Sequence, residues 1–392
     1  MQISKNLFSK NSKKSIQTFT RIFSMKVPEI DERTIEWIKI SLLESIGEKR
    51  LRTLMLTLKD PFFIYEKDIY ELITLLPKFK KIFKQIKESK IDITDYKKRL
   101  QDYNVDVLTI LDQEYPNVLR DIGNPPPILY IRGGFKKEDD LAVSIIGSRT
   151  ASYYGKQIAE KFSHSLVNMG FTIVSGMARG IDTVAHQTAI NKGGRTVAFL
   201  GSGIDVVYPR ENKKLYQEII ENGAVVSEFP LGTEPVAVNF PQRNRLISGM
   251  SLGIVVVEAT LQSGTFITVK WALEQGKEVF AVPGDTRRKT SMGTNKLIQQ
   301  GAKLIVDVED ILEEFPFLKR KDFVPTSPAE EIELSTVEKK VFDSMRESPL
   351  LIDDIIETTN LPSSKVSSIL LSLEIKGLIQ QLPGKRFVKR QV

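Results

Sequence analysis

Apolar positions follow two different rhythms along the chain. Over residues 30–100 they recur every third or fourth position: Ile35, Ile38, Leu42, Leu43 and Ile46, then Leu51, Leu54 and Leu58 after an interruption at Gly47. That spacing lines one face of a helix. From 141 to about 306, short apolar runs alternate with helix-compatible stretches. Strands are predicted near 142–146, 171–175, 195–200, 224–227, 253–257, 278–282 and 303–306, with helices beginning near Gly155, Gly180, Glu211, Gln242, Ser263 and Thr294. Buried runs separated by helices predict an α/β fold with a mainly parallel, doubly wound sheet. Beyond 335 the helical rhythm returns in Val337, Val341 and Met345, in Ile352, Ile355 and Ile356, and in Val366, Ile369, Leu370 and Leu373. Leu378–Gln381, Pro383-Gly384 and Arg386–Lys389 then read as a hairpin, so this end predicts a winged helix.

Breaks in these rhythms set the expected boundaries. Asn-Pro-Pro-Pro (124–127) forces an extended passage, and Arg132-Gly133-Gly134 ends it. Pro316, Lys319-Arg320-Lys321, Pro325 and Pro328 mark 316–334 as a linker. The expected organisation is a basic, disordered tail over 1–29, a helical (SAM or helix-hairpin-helix-like) domain over 30–125, the α/β domain over 126–315, the linker, and the winged helix over 335–392. Ser45–Leu51 has the form of a helix-hairpin-helix turn; a plain helical bundle fits the same residues.

Composition narrows the chemistry. The 392 residues carry a net charge of +7, but Lys5, Lys10, Lys13, Lys14 and Arg21 fall in the first 24 residues without an acid, which leaves +2 for the remainder. That segment has the basic, Ser-rich character of a transit peptide; a disordered tail, or a start placed ahead of a true initiator at Met25, are the other readings. Charge alone therefore says little about partners. Cysteine is absent, which excludes disulfides, thiolate nucleophiles and Cys-based metal sites, and fits a reducing cytoplasm. No apolar run is long enough to span a membrane.

Several catalytic signatures fail on inspection. Gly249-Met-Ser-Leu-Gly253 matches G-x-S-x-G, but Ser251 follows a helix and precedes a strand, the reverse of a nucleophile elbow, and His164 and His186 both come too early. No Walker A sequence exists, and Gly147-Ser148-Arg149 lacks the second glycine of a dinucleotide fingerprint. Two distant histidines and no cysteine give no transition-metal site. Glu228 and Glu258 follow predicted strands, while Asp182 and Asp205 sit in glycine turns. Such carboxylates serve either as a general acid–base pair or as acceptors that hold loop amides and arginines in place.

What remains is a row of strand-end glycines followed by arginines or hydroxyls. Glycine lets a backbone approach a ligand, helix starts favour anions, and arginine binds phosphate bidentately with a permanent charge. Arg149, Arg179, Arg210, Arg243 and Arg245 are predicted on one side of the sheet, where surface ion pairs are the alternative for each. Tyr208 and Phe240 beside them are either stacking faces for bases or core packing. A polyphosphate, read as a single-stranded nucleic acid across the strand ends, suits the row better than one small molecule.

The ordered motifs carry a resemblance. Gly-Ser-Arg (147–149), Ser-Gly-Met-Ala-Arg-Gly-Ile-Asp (175–182), Gly-Ser-Gly-Ile-Asp-Val-Val-Tyr-Pro-Arg-Glu-Asn (201–212), Ser-Glu-Phe-Pro (227–230), Phe-Pro-Gln-Arg-Asn-Arg-Leu-Ile-Ser-Gly (240–249), Val-Glu-Ala (257–259), Ser-Gly-Thr (263–265), Phe-Ala-Val-Pro-Gly (280–284) and Gly-Thr-Asn-Lys-Leu-Ile (293–298) occur in sequence. Over roughly 115–310 the chain closely resembles the DNA-processing protein DprA (Smf) family. The resemblance implies an extended Rossmann-like sheet, a homodimer, binding and protection of incoming single-stranded DNA, and loading of the recombinase RecA in natural transformation. Single-strand-binding protein is a further implied partner. No cofactor, metal or catalytic residue is implied, and the location is cytoplasmic. By position, Arg149 looks like the family's phosphate-binding arginine, and Arg210 resembles a position often held by a DNA-contacting lysine. Gln242, Arg243, Asn244 and Arg245 match its Arg-Asn-Arg loop. The expected nucleic-acid-binding set is Gly147, Ser148, Arg149, Gly176, Arg179, Tyr208, Arg210, Phe240, Gln242, Arg243, Asn244, Arg245, Ser263, Gly264 and Thr265. Phe266 and Val269-Lys270 depart from the usual pattern inside a helix, which bears on packing. The competing function is a Rossmann-fold nucleotide hydrolase using Glu258 or Glu228. For the winged helix, a third helix exposing Ser364, Lys365, Ser367, Ser368 and Ser372 offers one cation, so weak duplex binding or a protein-contact role is expected.

Overall fold

The computed structural model describes residues 30–316, 318, 334–345, 349–376, 378–382 and 384–389. The basic tail expected over 1–29 and nearly all of the linker expected over 316–334 lie outside the described residues.

The N-terminal part is helical: α1 (Glu32–Ser41), α2 (Glu48–Leu58), α3 (Ile69–Leu75), α4 (Lys80–Glu88) and α5 (Thr94–Asp102). Asp31 caps α1 by accepting from the amides of Arg33 and Thr34. Nine strands follow: β1 (Asp106–Thr109), β2 (Ile128–Gly133), β3 (Ala142–Ile146), β4 (Thr172–Ser175), β5 (Thr196–Phe199), β6 (Gly223–Ser227), β7 (Gly253–Val256), β8 (Glu278–Ala281) and β9 (Lys303–Leu304). They form one sheet in the order β1-β2-β6-β5-β4-β3-β7-β8-β9. Every pair from β6 to β9 is parallel, whereas β1 on β2 and β2 on β6 are antiparallel. Between the strands lie α6 (Tyr153–Asn168), α7 (Ile181–Asn191), α8 (Lys213–Asn222), α9 (Asn239–Gly249), α10 (Thr265–Glu274) and α11 (Lys289–Gln299).

The two faces of the sheet make two cores. Val143, Ile145 and Val255 pack with Phe162, Leu166 and Ala185 of α6 and α7. Ala142, Ile146, Ile254 and Val256 point the other way, as a period of two requires, and join Leu246 of α9, Ala272 of α10 and the N-terminal helices. Trp37, Leu54, Phe83 and Leu100 belong to this second core together with Tyr130 and Val226.

The helical segment expected to reach 125 is thus interrupted after Asp102 by a strand, with one further helical turn at Asn117–Arg120 before β2. Asp106–Thr109 is a four-residue edge strand with only Thr109 fully buried, too short to register as an apolar run. It extends the sheet, so the helical part shares its core rather than owning one.

The C-terminal part is a winged helix with α12 (Thr336–Ser344), α13 (Ile352–Thr359), α14 (Ser363–Ile375) and an antiparallel sheet of β10 (Leu350–Leu351), β11 (Ile379–Leu382) and β12 (Arg386–Lys389) in the order β10-β12-β11. Val341, Ile355, Leu370, Leu373 and Phe387 make its own core. Ser372 differs from expectation: half-buried, it donates to Glu338 at 2.7 Å, and Lys376 holds the same carboxylate at 2.8 Å. No helix among the described residues is long and apolar enough to cross a membrane.

Candidate nucleic-acid interface

Chain direction across the sheet reverses at β3. One side carries β4, β5 and β6, and β7 returns to the other side, so the loops after β3 and β7 part and leave a crevice beyond the strand ends. A cleft of about 580 Å³ opens there. Ten residues of the expected set line it: Gly147, Ser148, Arg149, Tyr208, Phe240, Arg243, Asn244, Ser263, Gly264 and Thr265. Asp182, Thr150 and Thr268 join them.

The loop carrying Arg149 is held from three directions. Gly180 adopts φ +77° and its backbone lies against the Ser148 carbonyl, which accepts from Ile181 N at 3.2 Å. A side chain at Gly180 would be strained and would strike that carbonyl. Glu258, at the end of β7, accepts from the Ser152 amide at 2.9 Å and from its hydroxyl. Ser152 in turn caps α6 by accepting from Gly155 N at 3.0 Å. Arg149 thus projects into the cleft from a fixed turn. Its guanidinium lies 5.3 Å from the Phe240 ring centre, and no acidic side chain among the described residues pairs with it.

Arg243 forms the floor. It is buried, and its Nη1 donates to the carbonyls of Gly176, at 2.8 Å, and Phe199, the ends of β4 and β5. A Cβ at Gly176 would lie 2.7 Å from this guanidinium, so only glycine leaves it room. Burial lowers the Arg243 pKa to about 10, with the Asp182 charge opposing and the Arg149 charge adding, so the group stays cationic at neutral pH. Burial also raises Asp182, against the pull of Arg243 and of the Ala178 and Gly176 amides that donate to it. Phe240 stands between both arginines, 5.8 Å from Arg243, with Tyr208 tilted at 52° against it at 5.6 Å. The cleft thus offers one free guanidinium, one buried cation, an aromatic pair, and the hydroxyls of Ser148, Thr150, Ser263 and Thr265. That combination fits an anionic backbone carrying flat bases.

Five expected residues stand elsewhere. Arg245 is the clearest correction. At 1% exposure it lies beneath the surface, its two Nη atoms on the Glu228 carboxylate at 2.6 Å each, with Nε donating to Asn124 O at 3.0 Å. Burial opposes its charge, but the Glu228 pairing outweighs this and raises its pKa. Gln242 turns away from the cleft and donates to Glu48 of α2 at 2.8 Å. Gly176 acts from beneath, as the seat of Arg243. Arg179 is exposed but paired with Glu211, and Arg210 is exposed on the neighbouring turn outside the cleft lining. Asp182, Thr150 and Thr268 were not in the expected set; the sequence signal for Asp182 was its place two residues after Gly180, at a helix start.

The carboxylates expected for hydrolysis are committed elsewhere. Glu228 is neutralised by Arg245, Glu258 pins Ser152, and neither lines the cleft. Ser251 is buried 2.7 Å from Ser144 Oγ, which disposes of the hydrolase-like match. His186 is also interior, accepting from Met177 N at 3.3 Å and sharing a 2.7 Å bond with Thr196, and burial lowers its pKa to about 3.

Comparison with known proteins gives the same sheet a lineage. Residues 106–316, more than half the chain, match the family model described as DNA recombination-mediator protein A, and residues 325–385 match the DprA winged helix domain. The Smf protein of Escherichia coli is 38% identical over 69% of this chain and 74% of its own length. The chain belongs to the DprA (Smf) family. Within that family, Smf of Synechocystis is 35% identical over 74% of this chain and 81% of its own length. The X-ray structure of DprA from Streptococcus pneumoniae superposes with a TM-score of 0.63 at 33% identity, covering 73% of this chain and 99% of the other. DNA processing protein A from Helicobacter pylori, whose structure is described for its single-stranded DNA binding mode, aligns with a TM-score of 0.50 at 30% identity, covering 57% of this chain and 98% of the other.

Proposed function

We propose that this DprA-family protein is a non-catalytic, cytoplasmic single-stranded DNA-binding protein that takes the strand into the cleft between β3 and β7, protects it, and hands it to the recombinase RecA in natural transformation. It acts as a homodimer, with single-strand-binding protein as a further partner. The observation that carries the reading is Arg149: an exposed guanidinium with no acidic partner among the described residues, on a turn fixed by Glu258 and Gly180, facing Phe240 above a buried second cation. Affinity would come from phosphate contacts, and tolerance of any base from stacking on Phe240 and Tyr208. The Helicobacter pylori relative supports the ligand class, and the matched family description supports the mediator role.

Binding of labelled oligo-dT tests this. Neutralising about four phosphates gives a slope of log K on log salt of roughly −3 for a single strand. Arg149→Ala should weaken binding about equally for different sequences and make that slope shallower. Unchanged affinity would remove the cleft from consideration.

A further inference from the structure

Outside the cleft, the densest run of positive charge among the described residues lies on α4 and the residues flanking it. Residues 78–90 hold Lys78, Lys80, Lys81, Lys84, Lys87 and Lys90 against a single acid, Glu88, and all six lysines are exposed. Lys80, Lys84 and Lys87 are spaced i, i+4, i+7, which puts them on one stripe of the helix. The opposite side carries Ile82, Phe83 and Ile86, all buried in the core that continues into the sheet. The stripe is therefore presented by a helix that cannot turn over.

These lysines sit where local physics opposes them. Lys80 and Lys81 occupy the first turn, where the helix dipole favours acids, and no acid is present there. Lys80 with Lys84, and Lys84 with Lys87, are like charges at neighbouring helical spacings, which destabilise a helix. Relief from acids is slight. Glu88 stands 3.8 Å from Lys84 with both side chains more than 60% exposed, and Lys87 donates to the Lys67 carbonyl. No ion pair holds Lys78, Lys80, Lys81 or Lys90 among the described residues. An ordinary solvated face interleaves both signs; this one does not, and a polyanion would compensate it.

The helix is also tied to the wall of the cleft. Gln85 of α4 accepts from Ser45 Oγ at 2.6 Å; Ser45 lies three residues before Glu48, and Glu48 accepts from Gln242 of α9, the helix that carries Phe240 and Arg243.

We infer that the lysine stripe of α4 is a second binding surface for the phosphate backbone of the same nucleic acid, engaged without regard to sequence by the strand beyond the cleft. The inference rests on the single-strand reading above. Lysine, a compact charge on a flexible stem, suits such unspecific phosphate contact, as arginine forks suit the fixed pocket.

The test uses the full chain with the exposed Lys80→Gln, Lys84→Gln and Lys87→Gln changes combined, and oligo-dT of about 40 nucleotides, longer than one single-strand site. Affinity near 0.1 M salt should fall by roughly tenfold, and the salt slope should become shallower by about 2, the loss of three phosphate contacts. Unchanged affinity and slope would overturn the inference. So would capture of anionic phospholipid vesicles that the triple change abolishes while oligo-dT binding stays the same, since the partner would then be a membrane. If Arg149→Ala has no effect but the triple change does, the cleft reading fails and the stripe stands. A wild-type protein that binds no oligo-dT removes both.

Discussion

Arg149 and Arg245 belong to the same run of strand-end cations, yet their surroundings give them opposite roles. Arg149 has solvent and an aromatic face around it, so its loss should change stability by less than about 0.5 kcal/mol while reducing DNA affinity. Arg245 is enclosed with Glu228. Arg245→Ala leaves a buried carboxylate without its partner, and should cost about 3–5 kcal/mol in denaturant unfolding. Equal stability of the two variants would refute the division. His186 makes a second residue-scale prediction. Its folded pKa is depressed to about 3, so the folded state keeps it neutral while an unfolded chain protonates it near its ordinary 6.5. Its contribution is present above 6.5 and is lost as pH falls toward 3, at up to about 1.4 kcal/mol per pH unit. Unfolding curves of His186→Gln should lack this part of the acid sensitivity; identical pH profiles would contradict it.

At the scale of the element, α9 works on two sides. Phe240, Arg243, Asn244 and Ile247, spaced i, i+3, i+4, i+7, line the cleft, whereas Gln242 and Arg245 face Glu48 of the N-terminal helices. Burial first, and then the charge of Glu228, raise the Glu48 pKa above its ordinary 4.5, against the pull of Arg245. A raised folded pKa means the folded state holds its proton longer, so stability is full below 4.5 and declines as pH rises above it. Glu48→Gln keeps a neutral side chain at every pH. It should therefore flatten the decline between about pH 5 and 8, read as the shift in unfolding midpoint relative to wild type. A gap between the two proteins that does not vary with pH would reject the assignment. The helical period was visible in the sequence, but which side of α9 met the cleft was not, because Arg243 and Arg245 are identical letters two positions apart. Only the packing of Gly176 against one and Glu228 against the other separates them.

At the scale of the whole molecule, the chain has fewer independent units than its sequence rhythm implies. The N-terminal helices share one core with a face of the sheet, from Trp37 and Phe83 through Tyr130 to Val226. Residues 30–316 should therefore unfold in one cooperative step, with hydrogen exchange in α4 as slow as in β5 at conditions of global opening. The winged helix packs a separate core around Val341 and Leu370. Ending the chain at residue 316 should move the thermal midpoint of the remainder by no more than a few °C. A collapse of the remaining structure would show that the two cores are coupled.

The order of strands and helices from 141 to 306 and the winged helix could be read from the chain itself, because burial on both faces leaves continuous apolar runs and helices leave a period near 3.6. The family's motifs likewise lie in contiguous residues. Depth was decided only in three dimensions. Whether an arginine faces solvent or is enclosed by a carboxylate depends on partners far away in sequence: Glu228 for Arg245, the Gly176 carbonyl for Arg243, Glu48 for Gln242. No local pattern records those distances. The antiparallel strand Asp106–Thr109 belongs with them, since a four-residue edge strand is specified by its neighbour β2 more than by its own side chains.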